Sequence, residues 1–184
     1  MKLWQKDSTK NTDQKIEKFT VGRDRELDVD LAAYDLLGSM AHAIMLEKID
    51  LLTNDELRLL IDECKLIFKD DIATGKFEII EGIEDVHSQI EYQLTLKLGD
   101  VGKKIHSGRS RNDQVLVDMK MFLRQKIEDI TVEVHQLFDS LIYQSNNSKD
   151  CLLPGYTHLQ IAMPSSFGLW FGAYAESLAD DLMI

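Results

Sequence analysis

Residues 112–144 read NDQVLVDMKMFLRQKIEDITVEVHQLFDSLIYQ, and the reading of this stretch decides the fold. Val115, Met119, Phe122, Ile127, Ile130, Val134, Leu137 and Leu141 recur mostly at spacings of three and four, the repeat of one face of an α-helix. Sustained over about 32 residues at roughly 1.5 Å each, the pattern predicts a helix near 50 Å long. Such a helix outruns the core of an ordinary small domain. With apolar residues persisting along its length, it is expected to pack in an extended bundle between subunits.

The start of that helix overlaps Lys103 to Gln114, KKIHSGRSRNDQ. Four Lys/Arg and one His fall between Lys103 and Arg111 without an acidic residue, in a chain of formal net charge -11. Gly108, flanked by Ser107 and Ser110, allows a tight backbone path into the helix N-terminus, where unpaired N–H groups and the helix dipole attract carboxylate or phosphate. Arg109 and Arg111 add forked donors suited to the same anions. The competing reading is that these cations only offset the acidic surplus, and spacing alone leaves both open.

At 184 residues the chain can bury a real core, and 44% hydrophobic with 29% charged residues fits a soluble globular protein. Two prolines accommodate long uninterrupted helices. No secretory signal opens the sequence and no stretch reads as a membrane span, so the expected location is cytoplasmic. Cys64 and Cys151 then read as reduced thiols. A pI near 4.8 argues against nucleic acid or an anionic membrane as partner.

In chain order, the polar residues 1–15 carry one large anchor, Trp4. Helical spacing follows over about Asp28 to Lys48, with Leu31, Ala32, Leu36, Ala43 and Ile44 inward and Leu37 and Met40 beside them. Thr53 and Glu56 form a capping box that starts a second helix, its stripe Leu57, Leu60, Ile61, Cys64, Ile67 and Phe68. Ile83 to Leu98 reads as a third helix closed by Gly99, with His87 in a structural role. Two prolines ten residues apart exclude an ordinary helix over Cys151 to Pro164, CLLPGYTHLQIAMP, which is dense in hydrogen-bonding groups. Ser165 and Ser166 are plausible caps for a last helix containing Trp170, Phe171 and Tyr174. The final apolar residues break off in mid-pattern, as expected of the front part of a longer design. No zinc-ligand spacing, P-loop or dinucleotide fingerprint is present.

Two stretches therefore carry candidate chemistry. Ser107 to Asp113 offers cations, hydroxyls, an amide and a helix N-terminus, a kit for holding carboxylates. In Gly155 to Gln160, His158 offers an imidazole suited to proton transfer, and Thr157 donates beside it. A buried loop histidine bonded to backbone is the alternative for His158. The long helix separates the two stretches, and a connector of about 12 residues spans at most roughly 40 Å. A shared site would thus need a second chain, which predicts a symmetric oligomer.

Glu84-Asp85-Val86-His87, Ser107 to Gln114 and Pro154 to Gln160 together resemble the N-terminal part of the argininosuccinate lyases, in the fumarase/aspartase superfamily. The resemblance implies an all-α fold, with a small N-terminal helical domain over 1–106 followed over 107–184 by the first long helices of a fumarase/aspartase-type central bundle. It implies a homotetramer with active sites shared between subunits, and reversible elimination of arginine from argininosuccinate to leave fumarate, without metal or cofactor. By the same match, His158 is the catalytic residue, Asn112 and Thr157 bind substrate, and Ser110 and Arg111 adjoin them.

Departures accompany the match. A substrate-binding Ser is expected near Gly22 to Asp24, where none exists. Ile161 and Met163 stand where Arg and Gln are usual. The third signature, a serine-rich loop with the catalytic Ser, is not within these residues, so the chain alone is expected to be inactive. An adenylosuccinate-type lyase, a non-catalytic structural relative such as a lens protein, and a helical interaction module are the alternatives.

Overall fold

A computed structural model describes residues 14–183, and Trp4 lies outside them. The helices are α1 Gln14–Val21, α2 Asp24–Leu27, α3 Ala32–Lys48, α4 Asn54–Ile67, α5 Val86–Leu98, α6 Asp100–Lys103, α7 Arg111–Asn147 and α8 Phe167–Asp181. Strands β1 Leu152–Thr157 and β2 Gln160–Ser166 form one antiparallel hairpin between α7 and α8. The mainly helical fold expected from the sequence is the fold observed, with the hairpin as an unanticipated element. The residues fall into two compact units, Met1–Phe122 and Leu123–Ile184. The sequence-based division at 106/107 marks the start of the basic loop, whereas backbone proximity divides the chain within α7.

Local signals account for most helix ends. Thr53 Oγ1 accepts from Glu56 N at 3.2 Å while Glu56 Oε2 accepts from Thr53 N at 2.9 Å, a closed capping box. Asp85 caps α5 through Ser88 N, so this helix begins at Val86 rather than Ile83. Gly99, at φ 61°, ends it. The long helix runs 37 residues, beginning one residue before the expected span and ending three after it.

The first unit has its own apolar core. Leu36, Leu46, Leu60, Val86, Ile90 and Leu94 are each at most 1% exposed, and Ile105 joins them from beyond α6. Gly102 lets α6 sit directly against α5, since a Cβ there would meet the Leu94 carbonyl at 2.5 Å. Ile44 and Phe68, expected in the stripes of α3 and α4, face outward instead, as does Leu37 beside the first of them. Phe68 opens a π-turn, Phe68–Ile72, whose wider i→i+5 bonding breaks the phase of the α4 stripe. The run Asp24–Lys48 is long and apolar enough to cross a membrane by composition, yet Leu31, Ala32, Leu36, Ala43 and Leu46 are spent in this core.

The second unit is built differently. Gly168 at the start of α8 approaches the end of α7 so closely that a Cβ would meet Lys149 Cα at 2.6 Å. Ser145 Oγ donates to Gly168 O at 2.7 Å across the same contact. Ser166 caps α8 by accepting from Leu169 N, as its position in the sequence suggested.

Candidate active site

On α3, Asp35, Ser39 and His42 follow one another at spacings of four and three and so share a face. That face grips the basic loop. His42 Nε2 donates to Ser107 O at 2.8 Å, and Arg109 Nη2 donates to Ser39 Oγ at 2.8 Å. Burial, with Arg109 and His106 nearby, holds His42 below its ordinary range despite the bond to Ser107, consistent with a neutral imidazole donating from Nε2. The second loop arginine turns to α5: Arg111 pairs with Asp85 and donates from Nη2 to Ser88 Oγ at 2.6 Å.

Ser110 caps α7. Its N–H donates to Asp113 Oδ2 at 2.7 Å while Asp113 N–H reaches back to Ser110 Oγ at 3.4 Å. These bonds to Ser110 hold the Asp113 carboxyl below its usual range. Asn112 stands exposed between these two capping residues. Lys103 and Lys104 are engaged as well, with Asp100 at 2.8 Å and Glu56 at 2.6 Å. Every Lys and Arg of the loop thus has a partner within its own unit, so the charge-offset reading accounts for much of the basic cluster. The loop is a braced frame that presents Asn112.

Beneath it lies a polar cluster that the sequence reading did not single out. Asp35 and Asp118 are 1% and 0% exposed, with His87, Gln114 and Ser39 buried beside them. His87 Nδ1 is 3.0 Å from Asp35 Oδ1 and 3.7 Å from Asp118 Oδ2, and Gln114 Nε2 donates to Asp35 Oδ1 at 3.2 Å. Burial, followed by the neighbouring Asp35 carboxylate, pushes Asp118 up to about 7. Burial pulls His87 down, but its bond to Asp35 and the surrounding carboxylates outweigh this and leave it raised. The structural role expected for His87 matches this position. Asp35, His87 and Asp118 offer ligand atoms within 4.8 Å of one another, a donor set able to hold a divalent cation. Arg109 already supplies positive charge there, and the carboxylates draw His87 towards its protonated form, which disfavours a metal ion.

A signal for the cluster was available. Asp35 falls four residues after Leu31, and Asp118 falls three after Val115 and four before Phe122. Each carboxylate is in step with an apolar stripe, a placement that buries charge.

In the second unit, the hairpin tip holds the other candidates. Thr157 pairs with Gln160, leaving His158 and Leu159 as a two-residue loop with φ of 49° and 64°. A loop with both central residues left-handed is the geometry that Asn-Gly normally fills, and His-Leu adopts it at a cost of about 1–2 kcal/mol per residue. Such an outlier is a pointer to function. Both Thr157 and His158 are exposed, so His158 is not a buried loop histidine. Thus Ser110, Arg111 and Asn112 are brought together in the first unit, and Thr157 and His158 in the second.

Residues 6–184 match a family model described as Lyase. The chain is 64% identical over 182 residues to an argininosuccinate lyase of Phocaeicola vulgatus, covering 99% of this chain and 40% of that protein. It is 62% identical over 184 residues to the enzyme of that name from Parabacteroides distasonis, covering 100% and 40%. More distantly, it is 40% identical over 180 residues to that of Methylococcus capsulatus, covering 98% and 38%. The chain therefore spans about 40% of the length of the curated relatives it matches. Among solved structures, an EDDS lyase in complex with formate aligns with a TM-score of 0.70 at 24% identity, over 90% of this chain and 33% of that one. A fumarate lyase:delta crystallin from Brucella melitensis gives 0.69 at 15%, over 86% and 39%. These two likenesses concern the fold.

Proposed function

We propose, from the premise that this chain belongs to the lyase family, that it acts in an argininosuccinate lyase, a carbon–nitrogen lyase cleaving argininosuccinate reversibly to arginine and fumarate. The observation that carries the reading is the 62–64% identity to argininosuccinate lyases along essentially the whole chain. The site geometry supports it. Asn112, presented by the braced loop, and Thr157 would hold the succinyl carboxylates. His158 would serve the proton transfer beside a carboxylate or stabilise the charge that develops there. Ser110 and Arg111, tied up in the helix cap and in the Asp85 pair, would act on substrate through Asn112 rather than by direct contact.

The two halves of the site sit on different units, joined by α7. A homotetramer in which different subunits contribute Asn112 and His158 is the arrangement we favour, with the cytoplasm as its location. Large apolar side chains standing exposed on the second unit, among them Ile127, Ile130, Trp170 and Leu159, support such an assembly. The 184 residues would not turn over substrate by themselves, because the serine-bearing third signature is not among them.

The test follows fumarate by its ultraviolet absorbance after addition of argininosuccinate. A full-length enzyme carrying this sequence should be active, the 184-residue chain inactive, and His158→Asn in the full-length enzyme should lower kcat by about 10²-fold or more. A folded, oligomeric full-length protein that releases no fumarate would remove the assignment in favour of another succinyl substrate or a structural role.

A further inference from the structure

The buried cluster under the basic loop holds more unpaired polar atoms than any other place among the described residues. Asp35 Oδ2, Gln114 Oε1 and both Asp118 carboxylate oxygens are buried without a hydrogen-bond partner, and so is Arg109 Nε. Four orphaned acceptors and one orphaned donor thus share a pocket, where each unmade bond costs about 1–3 kcal/mol. Arg109 enters it from the loop and is fixed at one end by Ser39. Burial lowers Arg109 from its ordinary range, and Asp35 and Asp118 act against that shift. The acceptors come from two helices at one-turn spacing, Asp35 with Ser39 on α3 and Gln114 with Asp118 on α7. Gly38 on α3 faces the same part of α7, where a Cβ would make ordinary contact with Asp118 Oδ1 at 3.4 Å.

We propose that Arg109 is a positioning residue for the proposed lyase reaction: its bond to Ser39, with the charges of Asp35 and Asp118 beside its guanidinium, holds the backbone from Ser107 to Asn112. The division of labour with Arg111 is then explicit. Arg111 ties the loop sideways to α5 through Asp85 and Ser88, and Arg109 ties it downward to α3 through Ser39, where it feels the Asp118 charge on α7. Asn112, which takes the substrate, follows directly after these anchors. Arg109 itself touches no reacting atom, so its loss weakens ground state and transition state alike.

The experiment uses the full-length enzyme with Arg109→Gln, Asp118→Asn and the double variant, at a pH above the Asp118 titration. Hydrogen exchange read by mass spectrometry should speed up about ten-fold or more in peptides over 107–112 while α4 and α5 stay protected. KM for argininosuccinate should rise about ten-fold with kcat within about three-fold, and the double variant should be no worse than Arg109→Gln alone. Arg109→Lys should recover part of the loss in KM. Unchanged exchange over 107–112, additive effects in the double variant, or faster exchange spread evenly through the first unit would overturn the proposal. If Asp118→Asn does not fold, Arg109→Gln, at a partly buried position, carries the exchange test alone. The kinetic arm rests on the lyase reading, and the exchange arm does not: no turnover by wild type defeats that reading while exchange still judges the anchor.

Discussion

The two units of this chain solve the problem of burying apolar surface in opposite ways. Up to Phe122, short helices wrap one continuous core that runs from Leu31 to Ile105. Beyond it, Ala175 is the one apolar side chain buried among the described residues, while Leu159 stands 97% and Leu169 67% exposed. The first unit is stabilised by what it hides. The second holds its shape by backbone bonding, a hairpin ladder and a glycine contact, and leaves its apolar residues exposed. A unit packed around its own core and a unit with little core occupy consecutive stretches of one chain.

The largest expected disruption is Gly102→Ala. The added methyl would meet Leu94 and Thr95 backbone atoms at 2.5–2.6 Å, and backbone cannot swing aside as a side chain can. Near-UV circular dichroism and the cooperative unfolding transition of the first unit should be lost. Retention of both would show that α5 and α6 can separate without loss of the core.

A paired truncation sharpens the contrast. Leu94→Ala, at a position 0% exposed, should cost about 2–5 kcal/mol by urea unfolding of the 184-residue chain. Leu137→Ala, at a position 51% exposed, should cost less than about 0.5 kcal/mol in the same chain and more in an assembled full-length protein. Equal costs in the isolated chain would erase the distinction between the units.

A further effect concerns pH. The carboxyl of Asp118 is raised from 3.8 to about 7, so the folded state favours its protonated form. That contribution is fully present below about 3.8 and is lost as pH rises through 7. Asp118→Asn, neutral at every pH, should therefore gain stability relative to wild type between those limits, read as the difference in urea midpoint. A difference that stays flat with pH would mean that Asp118 is ionised throughout.

Much of the first unit was legible because its signals are local. The capping box at Thr53 and Glu56, the stop at Gly99 and the stripe around Leu60 and Cys64 each act within a turn or two of chain. The hairpin was not legible, for two physical reasons. Pro154 and Pro164 face each other across it, and proline removes a ladder donor from either strand. Its turn is His158-Leu159, not the Asn-Gly that usually announces this geometry. Of the site, the residues at the surface could be found by motif, whereas Asp35 and Asp118 gain their meaning only when α3 and α7 meet. Phe68 was misplaced because no residue in the stripe foretells a π-turn.

The tip of the hairpin has one more consequence. A two-residue loop with both φ angles already positive has almost no alternative way to close, so the point from which the His158 side chain leaves the backbone is settled during folding rather than on arrival of a ligand. Lengthening the loop by a single residue would break the Thr157–Gln160 pairing and turn the histidine toward the other face of the sheet. The count of residues in this turn is fixed by the pairing on either side of it.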